Sequence, residues 1–312
     1  MISRACATIA HTLRTAPLAR LSGLAGSTNI QGESQKPLDL ISNDIFVNAC
    51  RSLPQIAMAV SEEEADAIPL SANGHYAVVF DPLDGSSNLD VNVTVGSIFS
   101  VVSATTIGEL LPGGQTQHLA GFASYGPSTD LIVAARGRAA RFTLDAADIW
   151  QLVDADLRLP DGFAEVAVNP ARSDTWDDVI RDFVNKSFSD EGARYNARWV
   201  ASLVAEAQRI LSRGGLFLYP ADLAGRGRLR LLYEARPIAA IVKAAGGKSS
   251  TGRIPILDAN ASTIHDRVPL IFGGKSQIEE IEALMLTRIY RRLPCEVADW
   301  IVRAAVKYGE VT

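Results

Sequence analysis

The run Tyr76-Ala77-Val78-Val79-Phe80-Asp81-Pro82-Leu83-Asp84-Gly85-Ser86-Ser87-Asn88 constrains this chain most. Its first half is apolar and rich in β-formers, and reads as a buried strand. Pro82 has no N–H to give a ladder and is expected to end that strand. Asp81 and Asp84 flank the stop, and the small, polar Gly85-Ser86-Ser87 follows. Two carboxylates three residues apart on a tight turn can converge on one hard cation, with the Leu83 carbonyl as a further oxygen. The small residues leave N–H groups and hydroxyls free to approach a phosphate. From the residues alone, an ordinary Asp-rich turn capping a helix is the alternative.

Composition narrows the classes. At 312 residues, 47% hydrophobic and 21% charged, the chain suits one large globular domain or two modest ones. The net charge is −5 and no basic patch of nucleic-acid type stands out. An acidic protein that binds a phosphate must place its cations locally. Cys6, Cys50 and Cys295 are far apart, have no metal-type or redox-pair spacing, and read as buried thiols. No apolar run reaches membrane-spanning length, so no membrane partner is expected.

Taken in order, residues 1–28 hold arginines and no acid, as an import segment does. Ile9, Leu13, Leu18 and Leu21 favour a folded amphipathic helix instead. A loop through Gln31-Gly32-Glu33 should lead to a helix carrying Leu40, Ile41, Ile45, Phe46 and Cys50 on one face. After a strand at Ile56–Val60, Ser61-Glu62-Glu63-Glu64 reads alone as a capped, solvated acidic helix start. Beside the Asp81–Asp84 turn, the same acids instead suggest a shared cation. Further strands are expected at Ser97–Ser103, Leu131–Ala135 and Ala164–Asn169. Thr105–His118 reads as an exposed loop, with His118 on the surface. Helices are expected at Trp176–Lys186, Val200–Leu211, from Pro237 to Gly246, at Ser276–Arg292 and at Cys295–Lys307. The polar stretch Leu157–Gly162 is the expected boundary between halves 1–159 and 160–312.

Phe80–Asn88 resembles the metal-binding signature of the fructose-1,6-bisphosphatases, within the lithium-sensitive, metal-dependent sugar and inositol phosphatases. Ser61-Glu62-Glu63 and the run Arg228–Pro237 are similar to further motifs of that family, in the same order along the chain. The resemblance implies an α/β fold, a layered αβαβα sandwich with two sheet-containing halves. It implies metal ligation by Glu62, Asp81, the Leu83 carbonyl, Asp84 and Glu234, around two or three magnesium ions, with manganese possible. Asp39 or Glu63 would act on the attacking water. Arg230 and Gly85, Ser86 and Ser87 would hold the reacting phosphate. Asn169, Arg172, Arg198, Tyr219 and Arg228 would hold the sugar and its second phosphate, with Arg198 reaching across a subunit interface. A cytoplasmic homotetramer, at least a dimer, acting on a sugar bisphosphate is implied. So is weak AMP inhibition, since the chain starts too late for the N-terminal AMP loop and carries His75 in place of a lysine. Trp199 and Arg172 leave a sedoheptulose-1,7-bisphosphatase open, and Glu33 and Pro37 a metabolite-binding protein without turnover. An inositol-phosphate phosphatase is the third alternative, in which Asn169, Arg198, Tyr219 and Arg228 would have no second phosphate to hold.

Overall fold

The computed structural model describes residues 1–19, 21, 36–160, 165–189 and 195–292. The expected helix at Cys295–Lys307, the thiol Cys295 and the Gln31–Glu33 loop lie outside the described residues.

Two sheets organise the chain. The first holds β1 (Ile56–Ser61), β2 (Ile68–Pro69), β3 (Tyr76–Asp84), β4 (Val95–Ser103), β5 (Gln117–Tyr125), β6 (Thr129–Ala135), β7 (Arg138–Leu144) and β8 (Trp150–Asp154), in the order β2-β1-β3-β4-β5-β6-β7-β8. The second is built from β9 (Glu165–Val168), β10 (Asn196–Arg198), β11 (Leu216–Tyr219), β13 (Lys248–Ser250) and β15 (Leu270–Gly273), in the order β10-β9-β11-β15-β13. A short ladder joins β12 (Leu229–Arg230) to β14 (Arg267–Val268).

Helices fill the layers between and around the sheets. α1 (Ile2–Thr15) and α2 (Pro37–Arg51) pack on each other, and α2 covers β1 and β3. A single turn, α3 (Ile107–Leu110), buries Leu110. α4 (Asp178–Ser187) and α7 (Lys275–Arg292) pack together beyond the second sheet. α5 (Leu203–Arg213) and α6 (Arg236–Ala244) lie between the sheets and touch both. The result is the expected αβαβα sandwich. Its central core runs without a break from Ile98, Phe122 and Ile132 to Leu203, Ile238 and Phe272.

β3 is apolar throughout because both its faces are covered. Val78 and Phe80 face α2, where Phe80 stacks on Phe46 at 4.8 Å, while Ala77 and Val79 pack with Leu232 and Tyr233.

Pro82 does not end the strand, contrary to the sequence reading. β3 runs on to Asp84 as a bulge: Asp81 pairs with Ile98 and Asp84 with Gly96, so one extra residue is accommodated on β3. Proline is tolerated at such a point because the bulge asks no ladder N–H of it. The Pro82 carbonyl instead accepts the Ser97 hydroxyl at 2.7 Å.

Three other expectations are corrected. α1 ends at Thr15 and Leu18 is 87% exposed, while Leu21, beyond the helix, is half-buried against the same core as Ile9. α2 buries Leu38, Asp39, Ser42, Asn43, Phe46, Val47 and Cys50, while Leu40 is 41% exposed. Its inner face carries polar residues because that face meets the acidic turn, a use that apolar periodicity does not register. Thr105–His118 is not simply a loop, since it holds α3 and the start of β5. His118 is exposed as expected and meets the Ser103 hydroxyl at 2.7 Å.

Candidate active site

In a regular strand, Asp81 and Asp84 would point to opposite faces, because their separation is odd. The extra residue of the bulge reverses that parity. The Leu83 N–H folds back to Asp81 Oδ1 at 2.9 Å and fixes the turn, with Leu83 itself buried. Ligand oxygens of Asp81, Asp84 and Glu234 then lie within 4.8 Å of one another, all three residues buried.

Glu234 reaches this point from a wide π-type turn, Leu231–Ala235, that runs straight into α6. Such turns insert an extra residue into a helix and re-aim its side chains. One carboxylate oxygen of Glu234 accepts the Arg230 backbone N–H. Directly after the turn, the buried guanidinium of Arg236 donates to the carbonyls of Leu110, Leu111, Pro112 and Ala259 at 2.6–2.9 Å. Burial lowers its pKa to about 10. This clasp ties the start of α6 to two loops.

The acids are electrostatically costly to one another. Burial, then repulsion from Glu62, Asp84, Glu234 and Glu63, pushes the Asp81 carboxyl well above the usual range. Burial, then Glu62 and Asp84, does the same to Glu234. Burial pushes Asp84 up to about 6, against the Val204 N–H and the Ser202 hydroxyl, which favour its charged form. Such a set is stable as anions only with a cation among them. All the donors are oxygen, which suits a hard divalent ion.

Ser61 ends β1 and Glu62-Glu63-Glu64 turn away from it, so the helix-start reading does not hold. The Glu62 N–H continues the ladder to the Phe80 carbonyl, and Glu62 Oε1 accepts from Arg230 Nε at 3.3 Å. Glu62 is not among the three tightly grouped acids, but it faces the same charges. The Glu63 N–H is bonded to the Ser61 hydroxyl, and Glu64 ties the turn to α2 through Asn43 at 2.7 Å.

Pro37 takes the first position of α2, where a missing N–H costs nothing. Asp39 is buried on the first turn, and its Oδ2 accepts the Lys36 N–H at 2.7 Å. Burial raises its pKa, while the Lys36 N–H and the Ser86 hydroxyl oppose the rise.

Gly85 adopts φ +75°, a left-handed conformation, and a Cβ there would lie 3.0 Å from Ser202. It opens the 3₁₀ turn Ser86–Val91. Asp84 Oδ2 accepts the Val204 N–H at 3.0 Å and the Ser202 hydroxyl at 3.3 Å. Asn88 donates to the Ala201 carbonyl at 3.1 Å. The acidic turn is thereby fastened to the start of α5.

The residues expected to hold the sugar and second phosphate sit on the second sheet and its loops. Asn169 follows β9 and caps the 3₁₀ turn Pro170–Thr175, which carries the half-buried Arg172. Tyr219 ends β11 and meets the Trp199 ring edge-on at 5.7 Å. Arg198 is exposed at the end of β10 and pairs with Glu165 at 3.5 Å. Arg228 lines a cavity of about 530 Å³ with Asp222, Gly225, Arg226, Gly227 and Arg267, apart from the acids.

Sequence reasoning missed Ser202, Glu165 and Arg236. Ser202 had a signal, a serine before the apolar Leu203-Val204, and it is the N-cap of α5. Glu165 and Arg236 had none, since their partners lie far along the chain.

Two family models match, described as "Fructose-1-6-bisphosphatase, N-terminal domain" over residues 1–155 and "Fructose-1-6-bisphosphatase, C-terminal domain" over residues 159–286. A class 1 fructose-1,6-bisphosphatase of Acinetobacter baumannii (strain AYE) is 39% identical over 292 residues, covering 90% of each chain. One from Halorhodospira halophila is 42% identical over 301 residues, covering 90% of this chain and 89% of that one. Among solved structures, Leishmania major fructose-1,6-bisphosphatase in holo form superposes with a TM-score of 0.87 at 32% identity, covering 91% of this chain and 92% of that one.

Proposed function

This chain belongs to the fructose-1,6-bisphosphatase family, and from that premise we propose that it hydrolyses the 1-phosphate of fructose 1,6-bisphosphate, giving fructose 6-phosphate and phosphate. The observation that carries the reading is the buried group Asp81, Asp84 and Glu234, whose ligand oxygens lie within 4.8 Å of one another.

These three, with Glu62 and the Leu83 carbonyl beside them, would hold magnesium. A cation there supplies charge neutralisation to the phosphoryl oxygens and acidifies water. The chain's own groups do the rest. Asp39 has Oδ2 engaged by Lys36, which leaves Oδ1 to orient the attacking water or take its proton. Glu63 is the second candidate for that task. N–H groups and hydroxyls of Gly85, Ser86 and Ser87 donate to the phosphoryl oxygens. Arg230, only 6% exposed at its side chain, adds positive charge to the same group. Arg198, Arg228, Arg172, Asn169 and Tyr219 grip the far phosphate and the sugar, which fixes the reacting bond against the metals.

The test is phosphate release in magnesium from fructose 1,6-bisphosphate, sedoheptulose 1,7-bisphosphate and inositol 1-phosphate. The first should be turned over fastest. Preference for the seven-carbon sugar moves the substrate, preference for inositol 1-phosphate removes the far-phosphate grip, and silence with metal bound overturns the reading. We also place the chain in a cytoplasmic homotetramer that is insensitive to AMP. Light scattering and an AMP titration of the same assay check the assembly and the insensitivity.

A further inference from the structure

The second sheet carries a charge cluster away from the acidic turn. Glu165 opens β9, with 4% of its side chain exposed. A carboxylate so buried persists as an anion only when paired. Three arginines meet it. Arg209 of α5 donates from Nη2 to Oε2 at 2.5 Å. Arg213 of α5 and Arg198 of β10 share Oε1, each at 3.5 Å. Glu206, buried on α5, accepts the Val200 N–H. Three guanidinium groups thus face two carboxylates, which leaves one positive charge in surplus. The surplus lies at the rim, where Arg198 is 43% and Arg213 65% exposed against 29% for Arg209.

Register puts Arg198 beside Ala167, which neighbours Phe217, so Arg198, Glu165, Phe217 and Tyr219 share one face of the sheet. Glu165 takes the Nε edge of Arg198, and Nη1 donates to the Ala197 carbonyl at 2.8 Å. A single carboxylate beside an arginine would compete with a phosphate for it. Here Arg209 already neutralises that carboxylate from behind.

We infer that Glu165 is a positioning residue for substrate. It holds Arg198 at Nε, so that the guanidinium N–H groups not given to Glu165 or the Ala197 carbonyl meet the far phosphate, while Arg209 keeps Glu165 from repelling that phosphate. The inference rests on the reading of Arg198 as a far-phosphate ligand.

Product inhibition of the full-length enzyme separates the two ends of the site. Fructose 6-phosphate carries only the far phosphate, and orthophosphate stands for the reacting one. Glu165→Gln should raise both the fructose 6-phosphate inhibition constant and the KM for the bisphosphate about tenfold. The orthophosphate constant and kcat should stay within about twofold. In an Arg198→Ala background, Glu165→Gln should add nothing further. Arg213→Gln is the control and should leave every constant in place. Should Glu165→Gln not fold, Glu165→Asp keeps the charge, withdraws the carboxylate, and should show the same split. If Arg198→Ala leaves fructose 6-phosphate inhibition unchanged, the reading of Arg198 falls, and the inference with it. If Arg198→Ala weakens it while Glu165→Gln does not, or does so additively, the inference alone is overturned. Equal weakening of both ligands assigns Glu165 a structural role and also overturns it.

Discussion

Two groups of charge built around buried carboxylates meet α5, and they are balanced in opposite ways. At its start, Asp84 joins Asp81 and Glu234 in a group where acids outnumber the nearby Arg230. Along its length, Glu165 is met by Arg198, Arg209 and Arg213. On the proposed reading, the acidic group is one that a cation would complete. The arginine group is complete as folded and has positive charge left over. On the proposed reading, the reacting end would take its positive charge from a metal and the far end from Arg198 among these arginines.

The largest effect expected is at the acidic group. Asp81→Asn should lower kcat on the order of 10³-fold, while the melting temperature of the metal-free protein holds or rises, because a repelling charge is gone. Phosphate release and calorimetry on one preparation check both halves, and turnover retained in saturating magnesium would break the metal assignment. Glu165→Gln should do the reverse to stability. Neutralising a buried carboxylate held by three cations should cost about 3 kcal/mol in urea unfolding, whether or not metal is present. A stabilised variant would erase the contrast.

The pH response sharpens it further. The carboxyl of Asp84 is raised from 3.8 to about 6 on folding, so the native state binds the proton more tightly than the unfolded chain. Its destabilising effect is absent below 3.8, grows as pH rises toward 6, and is complete above it. The metal-free protein should therefore lose melting temperature across that window, and magnesium should restore most at the alkaline end, where the ligands are already ionised. A flat metal-free profile would argue that the acids do not strain the fold. Gly85→Ala should cost about 1–2 kcal/mol, because it forces a Cβ into a left-handed conformation beside Ser202. The smallest effect belongs to Arg213→Gln, within about 0.5 kcal/mol, since its side chain is 65% exposed.

How much of this was readable beforehand varied with the distance between the partners. Asp81 and Asp84 stood out as paired acids at the end of a strand signal, whereas Glu62 and Glu234 were marked only by the motifs that resemble the family. Ser61–Glu64 showed its alternative only when set beside the Asp81 turn. Pro82 was misread because its missing N–H is a local fact, whereas the bulge that tolerates it depends on β4 across the ladder. The inner face of α2 was misread because Ser42 and Asn43 are buried on it, Asn43 against Glu64, and apolar spacing does not count them.

The αβαβα layering was legible only through the motifs that resemble the family. Residue order marked individual strands and helices, through runs that are apolar where two faces are covered and amphipathic where one is. It also settled which residues bring oxygen, nitrogen and flexibility to the site, because those are properties of single side chains and short turns. Folding decided the rest. The parity of Asp81 and Asp84 was set by a bulge, the aim of Glu234 by a π-type turn with Arg236 clasped beside it, and the grouping of three arginines on Glu165 by the packing of α5 against β9 and β10. Each of these brings together groups far apart along the chain, and their energies depend on burial, which no local stretch of sequence carries.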